Sequence, residues 1–312
     1  MINILGKRYY YFLLSMVLIV PGLIILAING LPLAIDFKGG TMLELQFPST
    51  QLPETSDVVA LYNDMGFKEV QVQTAIGISG ERDILVIRSP FMDDTTKIAL
   101  VDRMQTDFGV SEISVNRFDS VGPVIAEQVT SRAALAVAIA ALAVILYITY
   151  AFRGIPHAFR YGVCAIIAML HDILIVFSIT AIGSVLWGWQ MDSMFLTALL
   201  TVIGFSTQDK IVVFDRIREN SSFLRKLPFE KLANHSIVQT LQRSINTQLM
   251  TVEFMLLSLA LFGGVTLREF AVILLVGLLS GTYSSIFIAA PLLVVWENQE
   301  WKTWFHKQSA NA

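Results

Sequence analysis

The chain has 312 residues, of which 54% are hydrophobic and only 15% are charged, and its net charge is -3. With a mean hydropathy of +0.63, this composition lies outside the usual range of soluble globular proteins and predicts an integral membrane protein. The small net charge says little about partners, and no nucleic-acid partner is expected. Because Cys164 is the single cysteine, an intrachain disulfide is excluded.

Six apolar segments are long enough to cross a bilayer, which takes about 20 residues of helix. They predict a polytopic α-helical membrane protein with six transmembrane helices. The first segment is too long for the apolar core of a signal peptide and lacks a clear cleavage site, so we expect a retained anchor. Glu253 interrupts the fifth. The segments are Tyr9–Ile28, Ala133–Phe152, Tyr161–Trp187, Met194–Phe214, Ile245–Phe262 and Phe270–Trp296.

Between the first two spans, charges and turn residues return, which predicts a folded α+β domain over residues 31–130. The apolar alternation of Thr41–Phe47 is typical of a strand. The elements that follow are a helix capped by Ser56 and ended by Gly66, strands at Lys68–Ala75 and Asp83–Ser89, a helix capped by Asp93 or Asp94 and ended by Gly109, and a strand at Ser111–Phe118. This order is that of a ferredoxin-like domain.

The sequence of this domain contains no metal-ligand cluster, Ser/His/Asp set or glycine-rich phosphate loop, and we expect no metal or cofactor. It therefore predicts a binding or mechanical module, with a hydrolase site as the less favoured alternative. The remaining divisions are residues 1–30 for the N-terminal tip and first helix, 131–297 for a five-helix bundle, and 298–312 for a tail.

Lys and Arg side chains concentrate in the loops on one side of the predicted helices. The short loops on the other side carry only Arg268. Because cytoplasmic loops are enriched in Lys and Arg, both termini are expected in the cytoplasm and the 31–130 domain outside.

Ionisable residues occur inside the predicted spans. A charged side chain within a membrane span is costly and usually marks an ion or proton pathway. The alternative is a satisfied polar cluster that only fixes helix packing. Small residues in the same spans, Gly204, Gly277 and Gly281, predict close approach of helices. The ionisable candidates are His171 and Asp172 near the midplane, Asp209 and Lys210 in the fourth span, Arg243 at the mouth of the fifth, and Glu253 further in.

Several motifs together resemble the SecF family of protein-export membrane proteins, over the whole chain. The long motif that contains Asp215 is the most specific of them. They are Asp36-Phe-Lys-Gly39-Gly40-Thr41, Val121-Gly122-Pro123, His171-Asp172, Val202-Ile-Gly204-Phe-Ser206 with Asp209, Asp215-Arg216-Ile-Arg218-Glu219-Asn220, Thr240-Leu-Gln-Arg243-Ser and Phe262-Gly-Gly264.

The resemblance implies that the six spans form half of an RND-type transmembrane unit, which a SecD-like subunit completes in the bacterial inner membrane. It also implies that the proton-motive force moves the external domains and helps an unfolded exported polypeptide leave the SecYEG channel. In the family, the position of Asp209 belongs to the proton pathway and that of Arg243 modulates it. Asp172 and His171 are candidate members. A carboxylate suits this role because its two charge states differ greatly in intramembrane cost.

The chain departs from the family pattern at three positions. Gln208 and Lys210 replace the expected Asn and Thr or Ser, and Glu253 stands where an uncharged residue is expected. One hypothesis is an added ion pair between Lys210 and Glu253. In the rival hypothesis, Lys210 extends to the cytoplasmic edge and Glu253 is a second proton carrier.

Three other functions stay open. An RND-type exporter of small molecules is disfavoured because such pumps carry both transmembrane halves and two external domains in one chain. An intramembrane aspartyl protease could use Asp172 and Asp209 as a dyad, but the Tyr-Asp and Gly-x-Gly-Asp settings are missing. The third is a purely structural partner of the channel. The sequence does not discriminate between a proton and a sodium ion as the coupling ion.

Overall fold

The computed structural model describes residues 3–48, 52–76, 82–110, 113–153, 158–224, 226–248, 254–263 and 265–304. A short 3₁₀ turn (Leu5–Lys7) precedes the first helix. The strands are β1 (Gly40–Gln46), β2 (Gln71–Ile76), β3 (Arg82–Ser89) and β4 (Ser114–Val121). The α-helices are α1 (Arg8–Asn29), α2 (Ile35–Lys38), α3 (Thr55–Asp64), α4 (Asp94–Phe108), α5 (Pro123–Ala151), α6 (Ala158–Trp187), α7 (Ser193–Phe223), α8 (Phe229–Gln248), α9 (Phe254–Phe262), α10 (Val265–Ser284), α11 (Ala290–Glu297) and α12 (Trp301–Trp304).

The described part of the chain is mostly helical, and five of its helical segments are long and apolar enough to cross a membrane. They agree with five of the six predicted spans. The fifth predicted span, Ile245–Phe262, covers the end of α8, the helix α9 and residues 249–253, and these last residues lie outside the described ones. The five segments are Leu5–Asn29, Pro123–Ala151, Ala158–Trp187, Ser193–Phe223 and Leu267–Glu297.

The last of these segments changes helix type in its middle. Between α10 and α11, residues Ser285–Ala289 form a π-helix. Single π-helical turns inside α-helices occur frequently at functional sites. Pro291 follows in the first turn of α11, where the missing N–H group is tolerated.

The four-stranded sheet has the order β2-β3-β1-β4, with all neighbouring strands antiparallel. One face is apolar because Leu43 and Leu45 on β1 pair with Ile87 and Leu85 on β3. Both helices pack on this face and complete a separate core. Their buried contributions to it are Val58, Leu61 and Tyr62 from α3 and Leu100 and Met104 from α4.

Three local predictions in this domain need correction. The strand predicted at Lys68–Ala75 begins only at Gln71, where its pairing with β3 starts, since Glu69 has a positive φ of 63° that interrupts the extended backbone. The helix α3 has Glu54 at its N-cap instead of Ser56, because the backbone already turns at Glu54, whose carbonyl accepts from the N–H of Asp57 at 3.1 Å. The last strand begins later than predicted and runs to Val121, since pairing with β1 continues to Gly40. Asp93 caps α4 by accepting from the Thr96 N–H at 3.0 Å, as expected, and this hydrogen bonding with Thr96 and Thr95 lowers its pKa to about 2.

The Gly39-Gly40 motif lies where the sheet meets the membrane part. Both glycines have positive φ, +78° and +129°, a backbone conformation that residues with a side chain rarely adopt. A Cβ at Gly40 would lie 2.8 Å from the Ser89 carbonyl oxygen on β3, and one at Gly39 would lie 3.3 Å from Pro123 Cα. Two separate sequence motifs therefore meet at one close backbone contact.

The residues before this motif are fixed to the start of α7. The backbone N–H of Ala34 donates to the Met191 carbonyl at 2.9 Å. Asp36 Oδ2 accepts from the N–H and the hydroxyl of Ser193 at 2.8 and 2.7 Å, and Asp192 Oδ1 accepts from the Phe195 N–H at 2.7 Å. Carboxylates stabilise a helix N-terminus. Burial raises the pKa of Asp192, and the neighbouring Asp36 carboxylate acts in the same direction.

Charged side chains tie the elements together at the opposite end of the bundle. Arg8 Nη2 lies 2.6 Å from Glu300 Oε1, and Arg8 Nη1 lies 3.2 Å from Glu230 Oε1 on α8. Arg160 on α6 pairs with Glu297 at the end of α11. The beginning of α1 and the end of α11 therefore lie on the side of the bundle away from the sheet.

Gly40→Ala should destabilise the protein by about 1 to 3 kcal/mol, because the added Cβ is strained at positive φ and meets the Ser89 carbonyl. The measurement is the thermal unfolding midpoint of the purified chain. Gly122→Ala is the matched control, since Gly122 has φ -67° and nothing within 4 Å of an added Cβ. Equal midpoints for the two variants would contradict this account of the motif.

Candidate functional site

Asp172 on α6 is the most heavily hydrogen-bonded side chain in the described membrane part. It is 1% exposed and lies where α6, α7 and α10 meet. Every partner can donate to it, so it is bound as a carboxylate. At Oδ1 the partners are His171 Nδ1 at 3.0 Å and Ser280 Oγ at 2.7 Å; at Oδ2 they are Lys210 Nζ at 2.7 Å and Ser206 Oγ and Ser284 Oγ at 2.6 Å each.

Lys210 on α7 is fully buried and forms an ion pair with Asp172. Helical side chains point back toward the N-terminus, so Lys210 extends over Ser206, one turn earlier. Its ammonium donates to the Ser206 carbonyl at 3.3 Å and also to the Ser206 hydroxyl. A buried ion pair of this kind is tolerated because its remaining hydrogen-bonding groups are also satisfied.

Two glycines on α10 make this geometry possible. A Cβ at Gly277 would lie 2.3 Å from Val202 Cγ2, and one at Gly281 would lie 3.2 Å from Ser206 Cα. Their expected role in close helix approach is confirmed, and it brings Ser280 and Ser284 to Asp172. Gly204 differs, since an added Cβ there would have no described atom within 4 Å.

His171 connects this cluster to α1. Its Nε2 lies 2.9 Å from Ser15 Oγ, while Nδ1 faces Asp172. The imidazole stacks on the Tyr283 ring at a centroid distance of 6.1 Å. Asp172 is thereby linked, directly or through His171, to four helices.

Asp209 precedes Lys210 in the chain but has a different environment. It is 8% exposed, and its two oxygens accept from Ser244 Oγ on α8 at 3.3 Å and from Ser285 Oγ at 3.4 Å. Lys210 and Arg243 are close enough for favourable electrostatic interaction with it, and Arg243 itself is exposed. Because its hydrogen bonds are fewer and longer than those of Asp172, Asp209 can change its charge state with less loss of structure.

The two carboxylates are connected through neighbouring residues of two helices. Ser284, the last residue of α10, donates to Asp172, and Ser285, the first of the π-helix, donates to Asp209. On α7, Asp209 and Lys210 are likewise adjacent. A rotation of either helix therefore changes both environments together.

The structure brings together only part of the predicted set. The hypothesis that Lys210 extends to the cytoplasmic edge is wrong, because the ammonium has its acceptors at Asp172 and Ser206, inside the bundle. Glu253 lies outside the described residues, so its proposed roles as partner of Lys210 or as proton carrier stay predictions.

The charged motif after Asp209 lies at the end of α7. Arg218 pairs with Asp215 and Arg216 with Glu219, each at 2.5 Å and at an exposed helix end. Asn220 differs because it is buried, and its amide donates to Ser236 Oγ at 2.8 Å and so joins α7 to α8.

Serine hydroxyls are the functional groups that the sequence interpretation missed. Ser280, Ser284 and Ser285 were visible as small residues at three- and four-residue steps, which indicate close packing as readily as hydrogen bonding. Ser206 and Ser244 lie in two of the family motifs, but those motifs give no indication of which group each hydroxyl binds. Their role depends on which carboxylate each faces, and helix packing decides that.

A second polar junction, also unforeseen, joins the sheet to the membrane part. Arg88 on β3 donates to Gln73 Oε1 at 2.8 Å, and Glu269 on α10 accepts from the Gln190 N–H at 3.0 Å. Burial lowers the pKa of Arg88, and the Glu269 and Asp192 carboxylates oppose this shift. The Gln73 amide packs directly on Gly188 in the loop before α7.

Asp172→Asn should destabilise the chain by about 3 to 5 kcal/mol, because it leaves the Lys210 ammonium buried without a counter-charge. Asp94→Asn is the matched control: its partner Lys97 lies at the same distance of 2.7 Å, but Asp94 is exposed, and the loss should stay below about 1 kcal/mol. Unfolding midpoints of the purified variants provide the comparison. Equal losses of stability in the two variants would show that the buried ion pair contributes no more to stability than the exposed one.

Comparisons with known proteins give the family. Residues 101–299 match the family described as protein export membrane protein SecD/SecF, C-terminal, and residues 24–47 match the SecD/SecF GG motif. The chain is 64% identical to protein translocase subunit SecF of Anaerolinea thermophila over 307 residues, with 98% of each chain covered. It is 44% identical to SecF of Thermobaculum terrenum, covering 100% of this chain and 99% of the relative.

Solved structures of SecDF are also similar. The crystal structure of SecDF from Thermus thermophilus, a translocon-associated membrane protein, matches 95% of this chain with a TM-score of 0.81 and 31% identity. A SecDF structure in the super-membrane-facing form matches with a TM-score of 0.62 and 29% identity. In both, this chain spans 39% of the SecDF chain. By its sequence and its membrane helices, the chain belongs to the SecD/SecF family of protein-export membrane proteins, as a SecF subunit of the protein translocase.

Proposed function

We propose that this SecF chain converts the proton-motive force into movement of its external domain, and so assists late steps of protein translocation through the Sec channel. The observation that carries the proposal is the contrast between two buried carboxylates. Asp172 is held by Lys210 and three serines, whereas Asp209 has two long hydrogen bonds. One carboxylate serves as a fixed anchor and the other as the site of proton exchange.

The proposed architecture has six membrane helices, half of an RND-type unit, and a ferredoxin-like external domain over residues 31–130. The antiparallel order β2-β3-β1-β4, with both helices on one face, supports the ferredoxin-like assignment. The five candidate spans, together with α8 and α9, support the helix count. The five-helix bundle is assigned to residues 131–297 and the tail to 298–312.

The proposed orientation places the sheet outside the bacterial inner membrane and both termini in the cytoplasm. Arg8 and Arg160 lie with their acidic partners at the end of the bundle opposite the sheet. This agrees with the positive-inside rule.

A SecD-like subunit is the proposed direct partner. Relatives named SecDF in Bacillus subtilis and Thermus thermophilus contain a region like this chain in 38% and 39% of a longer chain. Within the chain itself, α5 leaves its apolar surface uncovered, with 6% of its most apolar stretch buried. This surface is available to the bilayer and to the partner. SecYEG and the exported unfolded polypeptide are the remaining proposed partners.

In the proposed cycle, protonation of Asp209 removes its charge and weakens its interactions with Ser285 and Arg243. The π-helix that begins at Ser285 then changes its contact with α7. Because Ser284 stays bound to Asp172, the change bends the segment about that anchor. A π-helical turn is suited to this, since a small change of backbone hydrogen bonds shifts the helix that follows.

The movement reaches the external domain through two contacts. Asp36 binds Ser193 at the start of α7, directly before the Gly39-Gly40 motif. Gln73, which accepts from Arg88 at 2.8 Å, packs on Gly188 before α7, and Glu269 at the start of α10 interacts electrostatically with Arg88. Both helices that bind the carboxylates therefore begin against the external domain.

The other candidate functions receive less support. An aspartyl protease dyad needs two carboxylates that share a proton. Here Asp172 and Asp209 have separate sets of hydrogen-bond partners among the described residues, and Asp172 forms an ion pair with Lys210. An accessory subunit without catalytic activity fits better. A small-molecule exporter half and a purely structural partner stay as alternatives, which the export assay below distinguishes.

Asp209→Asn should abolish the part of export that an imposed proton gradient stimulates, because the amide cannot exchange a proton. Secretion of a reporter by inverted vesicles, with and without the gradient, measures this. Asp107→Asn, at an exposed side chain of α4, is the control for loss of one carboxylate and should keep the stimulation. Undiminished stimulation in Asp209→Asn would refute the proton role and favour a structural partner.

Arg88→Gln should reduce gradient-stimulated export about fivefold or more while the complex still assembles, since it removes the positive charge that binds Gln73 and interacts with the Glu269 and Asp192 carboxylates at the junction of bundle and sheet. The same vesicle assay applies, with copurification of the SecD-like subunit as the check on assembly. Arg103→Gln on α4 removes an exposed guanidinium and serves as the control. Export equal to that of the control would show that the junction transmits no movement.

A further inference from the structure

The ammonium of Lys210 lies in a cage of oxygen atoms. Asp172 Oδ2 is 2.7 Å from Nζ, the Ser206 carbonyl is 3.3 Å from it, and the Ser206 hydroxyl is also in contact. Ser284 Oγ borders the same carboxylate oxygen at 2.6 Å. The cage is closed to solvent, because Asp172 and Lys210 are 1% and 0% exposed.

Carboxylate, carbonyl and hydroxyl oxygens are also the ligands of hard metal cations, and membrane transporters bind sodium with such groups at breaks in helices. The Asp172 cage has this composition, and it borders the junction of α10 and the π-helix. The position where such a cation would lie is filled by Nζ. Lys210 therefore stands in the place of a monovalent cation, attached to the chain by its own side chain.

The site around Asp209 does not offer the same ligands. Its described hydrogen-bond partners are two hydroxyls, Ser244 and Ser285, at 3.3 and 3.4 Å. The positive charges that act on it come from Lys210 and Arg243. A second cation would be repelled there by both, whereas a proton needs only one carboxylate oxygen.

We propose that Lys210 determines ion selectivity: its tethered ammonium fills the Asp172 cage, excludes sodium and leaves the proton as the coupling ion. The consequence for coupling rests on the proposed function. The binding property does not, because it follows from the cage alone. Shortening Lys210 would leave the Asp172 charge without its partner, and the vacated cage would take up a sodium or lithium ion.

The test compares sodium binding to the purified full chain and to Lys210→Ala. The wild type should show no saturable binding of radioactive sodium, and its unfolding midpoint should be the same in sodium chloride and in choline chloride at equal ionic strength. Lys210→Ala should bind about one sodium per chain, and its midpoint should rise with sodium concentration, since a ligand that binds only the folded state stabilises it.

Two further variants make the result specific. Lys231→Ala removes an exposed lysine of α8 and should behave like the wild type. Lys210→Ala combined with Asp172→Asn should lose the sodium binding, because the carboxylate of the cage is gone. Saturable sodium binding that persists in this double variant would place the ion elsewhere and overturn the proposal.

The proposal also fails if the wild type itself binds sodium in a saturable way, a result that needs no variant. If Lys210→Ala does not yield folded protein, Lys210→Thr takes its place, since it leaves nearly the same space and adds one hydroxyl ligand. A folded variant of either kind without sodium binding would overturn the proposal. None of these measurements involves export, so they stand apart from the failure or success of the Asp209→Asn assay.

Discussion

The ion pair between Asp172 and Lys210 is the interaction on which the membrane part depends. Two charges buried away from water are tolerated only when each has full compensation. Here the compensation requires three serine hydroxyls from α7 and α10, and these can reach Asp172 only because Gly277 and Gly281 let the helices approach. Helix spacing and charge pairing thus depend on each other.

Under the proposed function, this arrangement separates two roles that one carboxylate could not combine. A proton-exchanging group must be able to lose its partners, whereas an anchor must keep them. Asp172 has five donors and Asp209 has two distant ones, although their binding partners Ser284 and Ser285 are neighbours in the chain. Asp36 in the sheet domain binds Ser193 at the start of α7, and Glu269 at the start of α10 interacts electrostatically with Arg88 on β3. In the proposed cycle, these interactions transmit a local change in charge to the sheet.

Much of the fold follows from the sequence because it depends on local patterns. Apolar length predicts spans, and alternation predicts strands; five spans and the strand-helix order agree with the structure. The predicted and observed limits of elements differ where the backbone pairing or turn in the folded chain sets the limit. β4 continues to Val121 because its partner β1 begins at Gly40, and Ser56 lies two residues too late to cap α3 since the backbone turns at Glu54.

The sequence by itself determined the membrane class, the family motifs, and which ionisable residues lie within apolar segments, because these are properties of composition and spacing. Only the tertiary structure decided which charges meet. Lys210 pairs with Asp172, 38 positions earlier, because its side chain points back along α7 toward the face that packs on α6 and α10. The same packing assigned the serines to their carboxylates. Such pairings depend on the rotation of each helix about its axis, which apolar periodicity in a lipid-facing bundle leaves weakly defined.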